Sequence, residues 1–444
     1  MDQKMDKAAL KARVAEIIAK RFEHTKALGE SIFAEPELGF KEVKTSAKFA
    51  DELRALGIEG ESGWGITGVK ARLKGKASRR TVALLGELDA IVCRKHPNCD
   101  PVTGAAHCCG HNVQIANVLA VAAALKESGA MAELGGDVVL FAVPAEEYVE
   151  IDYRNQLREE GKLEFLGGKQ QIIAEGGFDD IDMAMQMHVG VMQHPNGDMM
   201  VAGSCNGFVG KLIDYTGRAA HAAGSPDKGI NALNAAMLGV MGVNALRETF
   251  READCVRFHP IINSGGDLVN VIPDLVKMES YCRASNTPAL AHYNKAINRA
   301  LKAGADALGA KCDIHDLPGY LPLMPDAAMA DILAENAREL LGSAEQVYRG
   351  EHSAGSTDMG DVSQLMPTMH PWVGCVKGTL HGADYVVADE SVAYVKCPTA
   401  LAFTIIDLLW DDAATAEKIC RDYKPVFKDK EEYMTFLRDL CKGE

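Results

Sequence analysis

Residue types that bind metals recur at the ends of the predicted buried strands. In chain order they are Asp89, Cys109, His111, Glu146, Glu147 and His188, with His381 further along. Taken singly, each has a simple structural explanation, such as a turn carboxylate, a small buried thiol or a solvated helix start. Together they supply the thiolate, imidazole and carboxylate ligands that divalent metals prefer, where open α/β sheets place their sites. The pattern therefore predicts a metal centre.

The adjacent carboxylates Glu146 and Glu147 favour hydrolysis over a purely structural metal. Two ions about 3.5–4 Å apart bind both the attacking and the developing oxygen of such a reaction. One carboxylate is then needed as a ligand. A second must take a proton from water and pass it to the leaving amine, and neighbouring glutamates meet both needs.

The surrounding sequence predicts an α/β fold that positions these residues. Buried apolar runs such as TVALL and DVVLFAV are typical of strands covered on both faces. Strands alternate with helices, which indicates a mostly parallel sheet. Strands are expected at 68–73, 81–85, 137–143 and 181–188, helices at 113–128 and 167–175, and two amphipathic helices over 9–57.

A different order begins near residue 206. Strands near 211–216, 256–263, 276–284 and 311–316, with helices near 230–248 and 289–308, give the order β-α-β-β-α-β, the ferredoxin-like pattern. We interpret 206–317 as an inserted domain and 1–205 with 318–444 as a discontinuous catalytic domain. A chain of 444 residues exceeds what one core usually serves, which agrees with two domains.

Composition and hydropathy argue against two classes of binding partner, nucleic acids and membranes. The formal net charge of −15 opposes binding to phosphate backbones, so we expect no nucleic acid partner. No signal peptide and no apolar run of membrane-spanning length is evident, which predicts a cytoplasmic protein without a membrane partner. The twelve cysteines lack disulfide-like spacing and fit free thiols.

Short motifs carry a resemblance to a known family. In chain order they are PELGF (36–40), GELDA (86–90), HCCGHN (107–112), PAEE (144–147), AAHAAGSP (219–226), NVIPD (270–274), GSTDMGDVS (355–363) and LHGADY (380–385). The chain resembles the metallopeptidase family that includes aminoacylases, carboxypeptidase G, carnosinases and indole-acetyl-amino-acid hydrolases. Its Cys-Gly-His motif resembles the amidohydrolase branch.

The resemblance implies roles for individual residues. It implies two divalent ions per subunit, zinc or manganese, with the ligands Cys109, His111, Glu147, His188 and His381. Glu146 is implied as general base, and Asp89 as the carboxylate that orients a ligand from behind. The inserted domain is implied to form a homodimer. His221 of that domain would reach the partner subunit's site to stabilise the oxyanion, assisted by Asn270.

Departures from the common motifs concern the substrate more than the metals. Asn112 and Gln114 stand where the family more often has Asp and His, and Glu87 replaces the first Asp of its strand-end motif. These features resemble the p-aminobenzoyl-glutamate hydrolase branch. The unusual insert Cys93–Gly104 holds His96 and Cys99, which suggest either an extra zinc site or an ordinary exposed loop, and we favour the loop.

We therefore expect hydrolysis of the amide bond of an N-acyl or aryl-acyl amino acid or dipeptide-like small molecule. Ser356 and Thr357 are candidates to bind its free carboxylate. Arg283 is a further candidate, with a structural ion pair as the alternative. Two rival functions stay open: hydrolysis of a non-peptide C–N bond, in a carbamoyl group or cyclic amide, and an inactive partner subunit.

Overall fold

The structure is a computed structural model that describes residues 6–192, 198–341 and 346–442. It divides into two compact units. The first unit comprises Met1–Ser204, Met324–Glu351 and Asp361–Val426, and the second comprises Cys205–Leu323, His352–Gly360 and Phe427–Glu444. The expected division differs at Cys205 and at 318–323, 352–360 and 427–444, which were expected in the catalytic domain and group with the second unit.

The elements are numbered in chain order. The helices are α1 (Lys7–Lys20), α2 (Phe22–Phe33), α3 (Val43–Ala55), α4 (His111–Ser128), α5 (Ile151–Glu159), α6 (Gly168–Glu175), α7 (Ala232–Leu246), α8 (Thr287–Leu308), α9 (Ala327–Leu341), α10 (Met359–Ser363), α11 (Cys397–Asp422) and α12 (Lys430–Leu440). The strands are β1 (Gly60–Trp64), β2 (Gly68–Leu73), β3 (Thr81–Glu87), β4 (Ile91–Val92), β5 (Ala105–Ala106), β6 (Asp137–Val143), β7 (Met183–Met185), β8 (His188–Val191), β9 (Met199–Val201), β10 (Gly207–Thr216), β11 (Arg257–Ser264), β12 (Leu275–Ala284), β13 (Lys311–Pro318), β14 (Val347–Arg349), β15 (Thr368–Met369), β16 (Trp372–Lys377) and β17 (Val386–Val387).

The main sheet of the first unit has the order β1-β2-β6-β3-β7-β15. Strands β6, β3, β7 and β15 run parallel, whereas β2 and β1 add an antiparallel edge. Every residue of β3 and β6 is buried, which explains their unbroken apolar sequences. This confirms the predicted α/β class with a mostly parallel sheet.

Helix α4 lies against β3 and the neighbouring helices α1, α2 and α11. Apart from its last turn it is buried all round, and its sequence is correspondingly rich in alanine and valine. Because its first residue is His111, the packing of α4 fixes the position of a predicted metal ligand.

A smaller sheet of the first unit, with the order β14-β9-β16-β17, also includes β8, which pairs with β16 in parallel. The register sets His188, the first residue of β8, opposite Trp372. This sheet was not foreseen, because its strands are short and carry little periodicity of their own.

The second unit contains an antiparallel sheet with the order β11-β12-β10-β13. Its elements follow one another as strand, helix, strand, strand, helix, strand, in the order that the sequence predicts. Helices α7 and α8 pack against each other and against this sheet. Helix α12 packs on β13, which is why the C-terminal segment groups with this unit.

Two sequence expectations about helices need correction or qualification. Residues 9–57 form three helices rather than two, because the chain leaves helical geometry at Arg21 (φ −91°, ψ 6°) between α1 and α2. The helical run Val392–Asp422 is long and apolar enough for a membrane span, yet 83% of its most apolar window is buried inside the protein. Such burial is typical of a core helix, and length alone is weak evidence for a span.

Candidate metal centre

Cys109 lies at the middle of the predicted ligands. Its Sγ is 3.3 Å from Nε2 of His188 and 3.2 Å from Nε2 of His381. Two groups of possible ligand atoms share this thiol, Cys109–His111–His188 and Cys109–Glu147–His381, and within each group the atoms lie within 4.8 Å of one another. The structure thus brings all five predicted metal ligands together in two overlapping groups.

The backbone before α4 allows this approach. Gly110 adopts a left-handed conformation (φ 91°), and a Cβ there would collide with the side chain of Val189. Glycine is therefore required between Cys109 and His111, as in the Cys-Gly-His motif.

Two contacts fix the ring of His188. Its Nδ1 lies 2.7 Å from the carbonyl oxygen of Val189, so Nδ1 carries the proton and Nε2 is the free ligand atom. The indole of Trp372 stacks on the imidazole with 3.9 Å between ring centroids.

His111 is oriented from the other side by Asp89. Its Nδ1 donates to the main-chain oxygen of Asp89 at 2.8 Å and lies 3.2 Å from Oδ1 of the same residue. The side chain of Asp89 also accepts the main-chain N–H of Glu147 at 2.9 Å. Asp89 therefore contacts one predicted ligand and the backbone of another, which is the geometry that its predicted supporting role requires.

Several buried polar atoms at this site lack hydrogen-bond partners in the described part of the chain. They are Nε2 of His111, Oε1 of Glu147 and Oδ1 of Asp89. Nε2 of His111 faces Oε2 of Glu87 at 3.0 Å, and Nε2 of His381 faces Oε1 of Glu147 at 3.1 Å. Lone pairs turned toward each other fit coordination of cations better than an apolar pocket. The residues present therefore fit a pair of metal ions.

Glu146 and Glu147 have different surroundings. Glu147 is buried and belongs to the group with Cys109 and His381, whereas Glu146 is half-buried and groups with Glu87 and His111. Because both glutamates belong to a group of possible ligand atoms, the division between a ligand and a base stays a prediction.

Glu87 is the residue at this site to which the sequence assigned no role. Its carboxylate, 1% exposed, accepts Nζ of Lys169 at 2.6 Å and the amides of Gln186 and Gln114, each at 2.8 Å. Burial would raise the pKa of Glu87, but the charges of Lys169 and His111 hold it well below its ordinary value. The sequence held one signal for this role. Glu87 and Gln114 both depart from the common family motifs, and their side chains contact each other.

The imidazoles of the predicted ligands have pKa values shifted in opposite directions, downward for His188 and upward for His111 and His381. Burial, followed by the charge of His111, lowers the pKa of His188 to about 4, which keeps its ring neutral for coordination. The carboxylate of Glu147, with its Oε1 3.1 Å from Nε2 of the ring, raises the pKa of His381. Burial and then Glu147 raise the pKa of the Cys109 thiol, and a bound cation would reverse that effect.

His221 and Asn270 belong to the second unit and lie near each other in its backbone. The main-chain N–H of Ala222 donates to the carbonyl oxygen of Asn270 at 2.9 Å, and His221 forms an isolated antiparallel β-bridge with Val271. Nδ1 of the exposed His221 accepts the N–H of Gly224 at 2.9 Å, so a neutral ring carries its proton on Nε2. That proton is the one an oxyanion would need.

The three candidates for binding a substrate carboxylate also lie in the second unit. Nη1 of Arg283 donates to Oγ of Ser356 at 2.8 Å, and the guanidinium lies over the rings of Phe208 and Tyr281. Thr357 is buried, and its Oγ1 accepts the N–H of Met359. The structure thus brings Arg283 and Ser356 into contact.

The Cys93–Gly104 insert is the connection between the short antiparallel strands β4 and β5. His96 is buried there, with Nε2 3.2 Å from the carbonyl oxygen of Tyr385. Among the described residues, no group of metal-binding side chains includes Cys93, His96 or Cys99. An ordinary loop is the interpretation that this geometry favours.

A family model described as peptidase family M20/M25/M40 matches residues 83–396, more than half of the chain. The chain belongs to this family. Family membership confirms the predicted enzyme class, a hydrolase of C–N bonds.

Individual relatives agree with this assignment. The M20-family chain is 29% identical to a mouse (Mus musculus) Xaa-Arg dipeptidase, over 94% of this chain and 92% of the relative. It is 26% identical to an N-acetylcysteine deacetylase of Bacillus subtilis, over 76% of this chain and 85% of that protein.

Solved structures share the fold. A dinuclear metal-binding M20 peptidase from Bacillus subtilis has a TM-score of 0.68 at 22% identity, over 88% of this chain and 99% of that one. An aminobenzoyl-glutamate utilization protein from Klebsiella pneumoniae has a TM-score of 0.67 at 20% identity, over 90% and 99%. The predicted fold and family are therefore confirmed.

Proposed function

We propose that this chain is a dinuclear metal amidohydrolase that cleaves the amide bond of an N-acyl or aryl-acyl amino acid or a dipeptide-like molecule. The observation that carries the proposal is the thiol of Cys109, shared by two ligand groups beside the Glu146–Glu147 pair. The names of its relatives, a dipeptidase and a deacetylase of an amino acid, support an amino-acid-derived substrate. Zinc or manganese fits the mixed thiolate, imidazole and carboxylate ligands.

The residues divide the chemistry between them. When bound, the two ions would supply the Lewis-acid chemistry that activates water and polarises the amide carbonyl. Glu146 takes a proton from the attacking water and gives it to the leaving nitrogen. His221 of the partner subunit, with Asn270 supporting its loop, donates Nε2–H to the developing oxyanion.

Arg283 supports the proposed preference for a free carboxylate. Burial lowers the pKa of this guanidinium, and it has no carboxylate partner in the described part of the chain. The alternative of a structural ion pair therefore finds no support. Together with the Ser356 hydroxyl, the guanidinium offers the donor geometry that binds carboxylates.

Exposed apolar side chains of the second unit support the proposed homodimer. Met237 and Met241 on α7 and Ile261 and Ile262 on β11 are each between 47% and 64% exposed. Strand β11 is also an edge of its sheet, with one row of backbone groups free to pair. We further propose that the enzyme acts in the cytoplasm.

The function is tested first through its metals. Purified protein should carry close to two zinc or manganese ions per chain, measured by elemental analysis, and release amine from N-acyl amino acids. Chelation should abolish turnover, and either metal should restore it. His381→Ala should lose metal as well as rate. Full turnover by metal-free protein would contradict the proposal.

The substrate class is tested by comparing an N-acyl amino acid with its carboxamide. We expect the carboxylate to raise kcat/KM by about 10-fold or more, because a charge-assisted hydrogen bond contributes roughly 1.5–3 kcal/mol. Arg283→Met should reduce this preference, whereas Arg299→Met, on helix α8 of the same unit, should preserve it. Equal kcat/KM for both compounds would favour a non-peptide C–N substrate instead.

A further inference from the structure

The turn that carries Glu146 and Glu147 is held in an unfavourable backbone conformation. It follows β6, and Ala145 has a φ of 55°, in the left-handed region that non-glycine residues rarely adopt. Such a conformation is unfavourable and persists only where surrounding contacts hold it. The direction of both glutamates therefore depends on groups outside the turn.

Arg154 binds this turn from one side. It lies on α5, its side chain is 1% exposed, and its Nη1 donates to the carbonyl oxygens of Leu166 at 2.6 Å and Ala145 at 3.3 Å. Its Nη2 donates to the carbonyl oxygen of Glu147. The rigid guanidinium thus contacts the carbonyl groups on either side of Glu146, which fixes where that side chain leaves the backbone.

Glu42 binds the same turn through a backbone N–H group. Its Oε1 accepts the N–H of Ala145 at 2.8 Å, and its Oε2 accepts the hydroxyl of Thr67 at 2.7 Å. Asp89 accepts the N–H of Glu147. Side chains that are distant in sequence therefore bind the backbone groups on both sides of Glu146.

Gly39 leaves the space that this arrangement needs. A Cβ at Gly39 would collide with Nη2 of Arg154 and lie 2.9 Å from both Cα and Cβ of Ala145. The glycine of the PELGF motif thus has a physical reason, because any side chain would push the guanidinium away from the turn.

We infer that Arg154, supported by Glu42, is a positioning residue that separates the roles of the two glutamates. It holds Glu147 toward Cys109 and His381 and keeps Glu146 outside that group, in the position proposed for proton transfer. This inference rests on the proposed function and assigns it a residue that touches neither the metal-binding atoms nor the substrate.

The test is Arg154→Met, with the exposed Arg158→Met on the same helix as the matched control. At saturating metal we expect kcat to fall about 100-fold, because a small misplacement of a catalytic group has effects of that size. KM should change less than about threefold. Metal titration should show one ion held as in the wild type and one bound roughly 10-fold more weakly, as for lost supporting contacts.

Three further variants keep the inference falsifiable if Arg154→Met fails to fold. Arg154→Lys keeps the charge but removes the planar guanidinium. Gly39→Ala displaces the guanidinium without removing it. Glu42→Leu removes the hydrogen bond to the N–H of Ala145. Each folded variant should lower kcat at saturating metal. A variant with a lower Tm but unchanged kcat and metal binding would show a merely structural role and overturn the inference.

These outcomes are separate from failure of the proposed function. If the wild-type protein binds no metal, or if Glu146→Gln is fully active, the proposed function fails first. If both behave as proposed and the Arg154 variants keep wild-type kcat and metal affinity, the positioning role alone is wrong.

Discussion

Glu146 and Glu147 are adjacent in the chain, yet only Glu147 faces the sulfur of Cys109 and the ring of His381. Glu146 keeps partial contact with solvent and lies near His111 and Glu87. A carboxylate with this exposure can exchange protons with water, whereas a carboxylate enclosed by metal-binding side chains cannot do so freely.

The division predicts different failures for the two glutamates. Glu146→Gln preserves the shape of the side chain and removes the base, so kcat should fall about 100-fold or more while metal content stays near two. The matched variant Glu147→Gln should lose metal together with activity. Elemental analysis beside steady-state kinetics distinguishes them, and loss of metal from Glu146→Gln would mean that the assignments are reversed.

Helix α7 and strand β11 carry apolar side chains that stay exposed in the folded second unit. Replacing Met237 and Met241 by glutamate places two charges on that face. We expect the double variant to elute as a monomer, because charge in a buried interface is costly unless paired. Light scattering measures the mass, and the exposed Met324→Glu is a matched control in the first unit. A double variant that remained dimeric would place the interface elsewhere.

Strands and helices were predicted most accurately from the sequence where their hydrophobic pattern is long. Strand β6 matches the expected 137–143, and α4 begins two residues earlier than expected, at His111. The short strands β8, β9, β14 and β17 were missed because they depend on pairing with β16 and its neighbours rather than on their own sequence. Helix α5 was missed for a related reason, since its sequence is polar apart from a few buried positions.

The site shows the same limit. The family motifs and the strand-end His188 predicted five candidate metal ligands, which the structure brings together; they could be predicted because each of these signals is local. Lys169 and Arg154 were not predicted, since their roles arise from contacts with Glu87 and the Ala145–Glu147 turn that only the folded chain creates. A buried lysine in a predicted helix gives no local sign of a carboxylate 82 positions earlier.

For the assembled molecule, we expect His221 to act across subunits. Glu146→Gln and His221→Ala should each have low activity alone. After joint unfolding and refolding at equal amounts, half of the dimers are mixed and each holds one complete site, so activity should approach about a quarter of the wild-type value. Mass spectrometry confirms the mixed dimers. Their presence without recovered activity would mean that the histidine serves its own subunit or no site.

The interrupted path of the chain through the first unit has a consequence for biosynthesis. Residues up to 204 supply most of its main sheet, but β15, β16 and α11 follow only after residue 367. During translation, the sheet of the second unit is complete by residue 318, before its neighbour has all its strands. Contacts between α4 and α11 span more than 260 residues, and contacts so distant in sequence form slowly. We therefore expect the nascent N-terminal segment to expose apolar surface until synthesis is nearly finished, a condition under which chaperones protect folding chains.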